Sequence, residues 1–384
     1  MNARPLRILL LGDYAADPRL GSSKVYYKLQ EEFTALGHQC DLMLGDSIGR
    51  WPNVPKLRWA LAPALAARAV ARRGASYDVI DVASAEGSVL GLQRALTPGV
   101  PTAIISRSHG LEHRNYQRLL EDHDAGLMRK GWLRRWWYPV ARLSQVAVAA
   151  RLADRMIVLN DGDAEFVERR RWKTRNEIAV IPHGVSARFL ASAPPPDAAR
   201  GAGVLFCGTW DDVKGVRYLA EAFSNVAVTT PGARLTIVGA AMPESAVLAQ
   251  FAPAARGAVT VLQRVSEDEV MRHYRTHDML VMSSTYEGFG MVVLEAMSQR
   301  LPVITTPVGC APALVRDGKT GLLVRPRSAS DIATAIRRLL GDPGLRSRLA
   351  EAAHPLAIAH TWARTAERTL ACYTDAMASR GVVA

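Results

Sequence analysis

The feature that most constrains the fold is a repeated alternation of short apolar runs with helical or irregular segments. In the first half of the chain the runs are LRILLL, HQCDLML, YDVIDV, PTAIIS, RMIVLN and IAVIP. In the second half they are GVLFCG, ARLTIVG, AVTVLQ, DMLVMSS and LPVITT. Short apolar runs that alternate with helical segments are typical of buried parallel strands. The sequence therefore predicts an α/β fold with two series of βα units.

A proline-rich segment, SAPPPDAARGAG at residues 192–203, separates the two series and predicts a linker. We therefore expect two Rossmann-like domains, over residues 1–190 and 191–354. A single continuous helical pattern over 355–378 is expected within the last segment, 355–384. Ligands of open α/β sheets bind at the carboxyl ends of the strands, so the two domains are expected to face one another across a cleft.

Composition and cysteine spacing limit the class of protein. Hydrophobic residues make up 49% of the 384 residues, which is enough for large cores. The cysteines form no C-x-x-C pair, which predicts free thiols in a reducing cytosol. No signal-peptide cleavage pattern follows the first apolar run, and no apolar run approaches the roughly 18 residues that span a bilayer. We expect a cytoplasmic protein, either soluble or peripheral on the inner face of the cytoplasmic membrane.

The net charge of +12 is unevenly distributed. Residues 1–190 contain 28 Lys and Arg against 19 Asp and Glu, an excess of +9. Residues 191–384 contain 20 against 17, an excess of +3. The basic first half favours a partner that carries phosphate groups, either nucleic acid or anionic lipid. No nucleic-acid-binding motif is present, and we expect no nucleic-acid partner.

The segment RKGWLRRWWYPVAR, residues 129–142, combines five basic with four aromatic residues. Basic side chains interleaved with Trp and Tyr suit the interface of an anionic bilayer. A solvated basic face or a nucleic-acid contact would fit the same composition. The residues expected to dock on the membrane are Arg129, Lys130, Trp132, Arg134, Arg135, Trp136 and Trp137.

The second half contains EGFGMVVLE between a predicted strand and a predicted helix. Gly288 and Gly290 let the backbone approach a ligand closely, and the N-terminus of the helix offers N–H groups to a phosphate. Glu295 lies within the helix, where it can accept hydrogen bonds from vicinal hydroxyls such as those of a ribose. Glu287 precedes the helix and can hold a second sugar. The order ribose, diphosphate, sugar is that of a nucleotide-sugar.

Further interpretations of the motifs are open. GFGMVV is close to a dinucleotide fingerprint, but Val293 replaces the third glycine and no ribose-binding acid follows. HGLEH at 109–113 fits a zinc-hydrolase pattern with its glutamate as the base, although no third ligand is evident. The D-x-D pairs at 122–124 and 161–163 fit a metal-binding pattern, but Asp161 is also expected to be a helix N-cap. We expect no metal site.

Longer segments resemble one known family. SSTYEGFGMVVLEAMSQRLPVITTPVG resembles the E-x7-E donor-binding segment of retaining GT-B glycosyltransferases, specifically glycosyltransferase family 4. VLFCGTWDDVKGVRYLAEAF, VIPHGV, LVRDGKTGLLV and HTWARTAERTLACY resemble further segments of that family. The resemblance implies the GT-B fold, in which two Rossmann-like domains face one another across a cleft and the C-terminal helix crosses back to the first domain.

The resemblance also implies roles for individual residues. Glu295 is expected to bind the ribose, Glu287 to contact the transferred sugar, and Lys214 to pair with the diphosphate and stabilise the leaving group. The implied catalytic residues are His109, Lys214 and Glu287. The implied donor-binding residues are Gly21, Gly208, Thr209, Lys214, Glu287, Gly288, Phe289, Gly290 and Glu295.

We therefore expect a retaining, metal-independent hexosyltransferase with a UDP- or GDP-linked sugar as co-substrate and no cofactor. Its acceptor is expected to be a glycan or a lipid-linked molecule in envelope polysaccharide or glycolipid synthesis. Thr209 stands where the family usually has an arginine. A GT-B-shaped binding protein without turnover is therefore an alternative interpretation. A GT-B epimerase or phosphorylase is also open, as is a zinc hydrolase that uses HGLEH.

Overall fold

The computed structural model describes residues 4–18, 21–49, 55–74, 76–97, 99–127, 136–196 and 198–381. The chain divides into two compact units. The first unit comprises residues 1–183 and 362–384, and the second comprises residues 184–361. The predicted boundaries at 190/191 and 354/355 therefore both fall within the second unit.

The first unit is built on a six-stranded parallel sheet in the order β2-β1-β3-β4-β5-β6. Its strands are β1 (Arg7–Gly12), β2 (Gln39–Leu44), β3 (Val79–Ala83), β4 (Ala103–Arg107), β5 (Arg155–Val158) and β6 (Ile178–Val180). The central strands β3 and β4 are buried along their whole length, which explains their continuous apolar character. In this sheet β2 lies on one side of β1, and β3 to β6 follow in order on its other side. The topological switch point therefore lies between β1 and β3.

Helices flank this sheet. They are α1 (Gly21–Ala35), α2 (Pro55–Arg73), α3 (Gly87–Leu96), α4 (Glu112–Asp124), α5 (Ser144–Leu152), α6 (Asp161–Arg169) and, at the end of the chain, α15 (Trp362–Ala378). A π-helical turn at Pro139–Leu143 precedes α5. The expectation that Asp161 is an N-cap is wrong. Asn160 has the extended backbone of a cap, and its side chain accepts the N–H of Asp163 over 2.9 Å, whereas Asp161 is already helical.

The second unit has a six-stranded parallel sheet in the order β12-β11-β10-β7-β8-β9. Its strands are β7 (Val204–Cys207), β8 (Leu235–Val238), β9 (Val259–Leu262), β10 (Met279–Met282), β11 (Val303–Thr305) and β12 (Leu322–Leu323). Each apolar run in the sequence contains one strand, and only the two-residue β12 was not predicted. The switch point of this sheet lies between β7 and β10, so the loops that follow these two strands meet at one edge.

The helices of the second unit are α7 (Ala187–Ala191), α8 (Val216–Thr229), α9 (Glu244–Leu248), α10 (Glu267–Thr276), α11 (Met291–Ser298), α12 (Ala311–Leu314), α13 (Ala329–Gly341) and α14 (Pro343–Ile358). Ser266 and Glu269 form a capping box at the start of α10, as the sequence predicts. All four cysteines, Cys40, Cys207, Cys310 and Cys372, are free.

The prediction of a single helix over 355–378 is wrong. The backbone leaves the helical conformation between α14 and α15, where Thr361 forms a parallel bridge with Val185. The N–H of Val185 also donates to the carbonyl oxygen of His360 over 2.8 Å. An extended residue paired in this way cannot continue a helix, so the pattern is split where the chain passes from the second unit to the first.

The last helix packs in the first unit, as predicted. Tyr373 of α15 donates its hydroxyl to Asp81 over 2.5 Å and its ring lies 5.8 Å from that of Phe33. Asp81 also pairs with Arg107 at 2.6 Å, and both side chains are completely buried. Within the ranges given above, no helix combines the length and the apolar character needed to cross a bilayer.

Candidate functional site

The loops after β7 and β10 bring two oppositely charged side chains together. Lys214 follows β7 and Glu287 follows β10, and the ammonium Nζ lies 2.5 Å from the carboxylate Oε1. The Glu287 side chain is 11% exposed and that of Lys214 is 26% exposed. The two residues are 73 positions apart in sequence. The order of the strands therefore creates this contact at the place where open α/β sheets bind ligands.

A buried serine holds the same carboxylate. Ser284 is completely buried, and its hydroxyl donates to Oε1 of Glu287 over 3.0 Å. The carbonyl oxygen of Ser284 in turn accepts the hydroxyl of Thr306 over 2.6 Å. Sequence reasoning did not identify Ser284, because a serine at the end of an apolar strand carries no motif of its own.

The backbone of the β7 loop lies directly against the end of β10. Gly215 has φ +66°, and a Cβ there would lie 2.0 Å from the carbonyl oxygen of Ser283. The hydroxyl of Ser283 donates to the carbonyl oxygen of Lys214 over 2.9 Å. The N–H of Thr285 donates to the carbonyl oxygen of Val213 over 2.8 Å. Only glycine fits position 215, and this close approach places Lys214 beside Glu287.

The Gly-Phe-Gly segment is anchored before it enters α11. Gly290 has φ +84° and is the N-cap residue of the helix. The side chain of Phe289 is buried, and its carbonyl oxygen accepts the N–H of Cys310 over 2.6 Å. Gly288, which directly follows Glu287, is partly exposed. The first turn of any helix has N–H groups without an acceptor in the helix, so the start of α11 can receive an anion.

Glu295 lies one turn further along α11 and is 9% exposed. Its Oε2 accepts the hydroxyl of Tyr274 over 3.2 Å. Tyr274 lies in the last turn of α10, 21 residues earlier in the chain. The short motif around Glu295 gives no sign of this partner, so sequence reasoning did not identify it.

The two residues after β7 differ in what they contribute. Gly208 has φ +145°, a conformation that favours glycine. Thr209 is exposed, and its hydroxyl donates to Asp211 over 3.0 Å. Asp211 also caps the short helical turn at 212–214 by accepting the N–H of Lys214. Thr209 thus supports the turn that carries Lys214 and supplies no positive charge.

In the first unit, His109 follows β4 and sits among aromatic rings. Its ring makes edge contacts with Tyr14 and Tyr26, at centroid distances of 5.4 and 5.1 Å. Both of its ring nitrogens are buried and have no hydrogen-bond partner among the described residues. Burial, together with His183 and Arg107, holds the pKa of His109 well below its ordinary value. His109 is therefore neutral at physiological pH, with one donor and one acceptor nitrogen.

Gly21 is an exposed residue at the start of α1. A Cβ at this position would meet no atom of the described residues within 4 Å. The space around position 21 therefore gives no steric reason for glycine.

The HGLEH segment is not arranged as a zinc site. Glu112 pairs with Arg142 at 3.0 Å and accepts the hydroxyls of Ser84 and Tyr138. Burial raises the pKa of Glu112, but these partners outweigh it and hold the pKa below its ordinary value. Arg142 also pairs with the buried Glu86 at 2.7 Å.

His113 packs elsewhere, against Trp172 at a centroid distance of 4.5 Å. Burial lowers the pKa of His113 to about 4. The two histidines of HGLEH, His109 and His113, therefore lie in different surroundings. In the part of the chain that the structure describes, no group of three or more His, Cys, Asp or Glu side chains is placed to hold a metal ion.

Most of the predicted membrane-docking segment lies outside the described residues. Arg129, Lys130, Trp132, Arg134 and Arg135 belong to residues 128–135 and are not described. The remaining two are exposed: Trp136 by 69% and Trp137 by 41%. Val140, one turn after Trp136, is also 69% exposed.

Two family models match the chain. A model described as "Glycosyltransferase Family 4" matches residues 21–189, and one described as "Glycosyl transferases group 1" matches residues 201–342. A D-inositol 3-phosphate glycosyltransferase from Streptomyces bingchenggensis is 31% identical over 264 residues, covering 62% of this chain and 56% of that protein. Across seven such relatives, the matched stretch spans only 53% to 61% of their length.

Solved structures share the fold over nearly the whole chain. Sucrose-phosphate synthase from Thermosynechococcus elongatus is 22% identical with a TM-score of 0.77, covering 97% of this chain and 100% of that one. HepE from Anabaena, in complex with UDP, is 17% identical with a TM-score of 0.69, covering 95% and 98%. These similarities, with the two parallel six-stranded sheets, confirm the predicted GT-B fold.

Proposed function

The chain belongs to glycosyltransferase family 4, and we propose that it transfers a hexose from a nucleotide-diphospho-sugar to an acceptor hydroxyl, with retention of the anomeric configuration. The observation that carries the proposal is the ion pair between Lys214 and Glu287 at the β7/β10 switch point. The glycine-rich start of α11 and a second carboxylate, that of Glu295, come after Glu287 in the chain. The hexose, the diphosphate and the ribose of a nucleotide-sugar thus each have a matching group.

The donor is proposed to bind along α11. Glu295 accepts hydrogen bonds from the ribose hydroxyls, and the first turn of the helix receives the diphosphate. Glu287 accepts hydrogen bonds from hydroxyls of the hexose. Lys214 has three N–H donors, so it can keep its contact with Glu287 and also bind a diphosphate oxygen. The HepE complex with UDP supports a UDP-linked donor, and a GDP-linked donor fits the same groups.

In the proposed reaction, the bond between the anomeric carbon and the diphosphate oxygen breaks, and its electron pair stays on the nucleoside diphosphate. Lys214 stabilises the negative charge that develops there, which lowers the barrier electrostatically. The acceptor oxygen bonds to the anomeric carbon, and the acceptor proton passes to the departing diphosphate. His109, neutral at physiological pH, is proposed as a hydrogen-bonding partner for a sugar hydroxyl.

The acceptor is proposed to be a glycan or a lipid-linked molecule of envelope polysaccharide or glycolipid synthesis. The curated relatives are named for D-inositol 3-phosphate, which supports a polyhydroxylated acceptor. We further propose that the first unit docks on the anionic inner face of the cytoplasmic membrane. The +9 charge of residues 1–190 and the exposure of Trp136, Trp137 and Val140 support this.

The test is consumption of purified UDP- and GDP-sugars, followed as release of nucleoside diphosphate in the presence and absence of EDTA. One nucleotide-sugar should be hydrolysed slowly without an acceptor, at a rate that EDTA does not change. A GT-B epimerase would change the sugar without releasing the nucleotide, and a phosphorylase would require phosphate. Loss of activity with EDTA and its return with zinc would contradict the metal-independent reaction.

A further inference from the structure

Glu295 has a hydrogen-bond donor from another helix. Tyr274 donates its hydroxyl to Oε2 of Glu295 over 3.2 Å. Tyr274 is completely buried, whereas Glu295 retains 9% exposure. The contact therefore joins an enclosed phenol to the carboxylate of a residue that is itself largely buried.

The surroundings of Tyr274 keep its hydroxyl in one place. The ring packs on Phe189 at a centroid distance of 6.1 Å. Arg200 donates from Nη1 to the carbonyl oxygen of Tyr274 over 2.7 Å. It also donates from Nη2 to the carbonyl oxygen of Gln299 over 2.8 Å. Gln299 directly follows α11, so Arg200 ties the end of α10 to the end of α11. The position of the phenol relative to Glu295 is thereby fixed.

The phenol remains a donor at physiological pH. Burial, followed by the neighbouring Cys207 and Glu295, raises the pKa of Tyr274 well above its ordinary value. A carboxylate offers about four lone-pair positions. The contact from Tyr274 is therefore compatible with two hydrogen bonds from a ligand to Glu295, while it restrains the orientation of the carboxylate.

We propose that Tyr274 is a positioning residue, which orients Glu295 to accept hydrogen bonds from both vicinal hydroxyls of the donor ribose. This inference rests on the proposed function, because it requires Glu295 to bind the ribose. Tyr274 then contributes to the preference for ribonucleotides through Glu295. Neither the E-x7-E motif nor the sequence around Tyr274 indicates such a role.

Tyr274→Phe tests the proposal, because it keeps the ring and removes only the hydroxyl. Affinities for UDP and 2′,3′-dideoxy-UDP, or for the guanosine pair if GDP is the nucleotide bound, are measured by calorimetry. The variant should lose about threefold to tenfold in affinity for the ribonucleotide and none for the dideoxynucleotide, the size expected for one hydrogen bond that acts indirectly. In a Glu295→Ala background, Tyr274→Phe should have no further effect.

Tyr77→Phe is the matched control. Tyr77 is 5% exposed and also donates its hydroxyl to a carboxylate, that of Asp41, over 2.7 Å, but it lies in the first unit. It should leave the ribonucleotide preference unchanged.

Three results would overturn the inference. Equal losses of both affinities in Tyr274→Phe would show a merely structural role. An unchanged preference in Tyr274→Phe, with the preference lost in Glu295→Ala, would remove the positioning role and leave the proposed donor site intact. A full preference in Glu295→Ala would remove the ribose assignment itself, and with it this inference.

Discussion

At the scale of single residues, the two acids of the E-x7-E segment have different partners. Glu287 contacts an ammonium and a serine hydroxyl through one oxygen. Glu295 contacts a buried phenol and lies further along α11. The proposed donor places the sugar at the first acid and the ribose at the second, so substitutions should separate binding of the nucleotide from turnover.

Glu295→Ala should weaken binding of the nucleoside diphosphate by about 1–3 kcal/mol, because it removes hydrogen bonds to a charged acceptor. Glu287→Ala should lower turnover of the nucleotide-sugar with a smaller effect on binding of the free nucleotide. Calorimetry and steady-state kinetics measure the two effects. Glu221→Ala, at an exposed position on α8, is the control. Equal nucleotide affinity in Glu295→Ala and wild type would contradict the ribose assignment.

The sequence predicted the acids and Lys214 because they belong to short motifs that resemble a known family. It did not predict Ser284 or Tyr274. Their roles follow from contacts made in three dimensions, one at the end of a buried strand and the other between two helices. No local pattern of residue types encodes such contacts.

At the scale of secondary-structure elements, the candidate site depends on how closely the β7 loop approaches β10. Gly215→Ala should destabilise the second unit, because the new Cβ meets the carbonyl oxygen of Ser283 at 2.0 Å and φ is +66°. Overpacking of this kind costs roughly 1–3 kcal/mol in addition to the backbone strain. Activity should also fall, since Lys214 moves with the loop. Thermal unfolding and turnover measure the two effects.

Gly232→Ala is the matched control for this prediction. Gly232 also has a positive φ, +80°, but a Cβ there meets no atom of the described residues within 4 Å. It should show the backbone strain alone and leave turnover unchanged. Equal stability losses in the two variants would show that the close approach at position 215 does not constrain the loop.

Strands were easier to predict than the ends of helices. Buried parallel strands are marked by continuous apolar runs, and each such run contains a strand. The break between α14 and α15 was not predicted, because it depends on the pairing of Thr361 with Val185, which is distant in sequence. β12 was missed because two residues are too short for a periodic pattern.

At the scale of the whole molecule, the first unit combines a basic charge with exposed aromatic residues. Trp136→Ser with Val140→Ser should weaken sedimentation with anionic vesicles, because both side chains are 69% exposed. Arg134→Glu with Arg135→Glu should weaken it further, since each cation near such a surface contributes about 1 kcal/mol. Binding should decrease at high salt.

Val228→Ser is the matched control for vesicle binding, because Val228 is 65% exposed but lies in the second unit. It should leave vesicle binding unchanged. Membrane docking would be contradicted if the wild type did not bind vesicles, or if its binding did not depend on lipid charge and salt.

The free energy of unfolding should decrease as the pH falls below about 6.5, the pKa of a histidine in the unfolded chain. Burial, followed by the charge of Arg107, lowers the pKa of His183 to about 3, so at pH 5 only the unfolded chain binds this proton. His183 alone should then cost about 2 kcal/mol of unfolding free energy between pH 7 and pH 5. His183→Gln should reduce the loss, as measured by denaturant unfolding at both pH values. An identical loss in the variant would contradict this assignment.

Lys214, at the β7/β10 edge, is proposed to bind the diphosphate of a nucleotide-sugar, and the roles proposed for both acids depend on that contact. Calorimetric titration of the nucleoside diphosphate and of the corresponding nucleoside into wild type and Lys214→Ala measures it. Lys319→Ala, at an exposed position of the second unit, controls for the change in net charge. Wild type and Lys319→Ala should prefer the diphosphate strongly, and Lys214→Ala should lose much of that preference while its affinity for the nucleoside is unchanged. An undiminished preference for the diphosphate in Lys214→Ala would show that the proposed donor site is wrong.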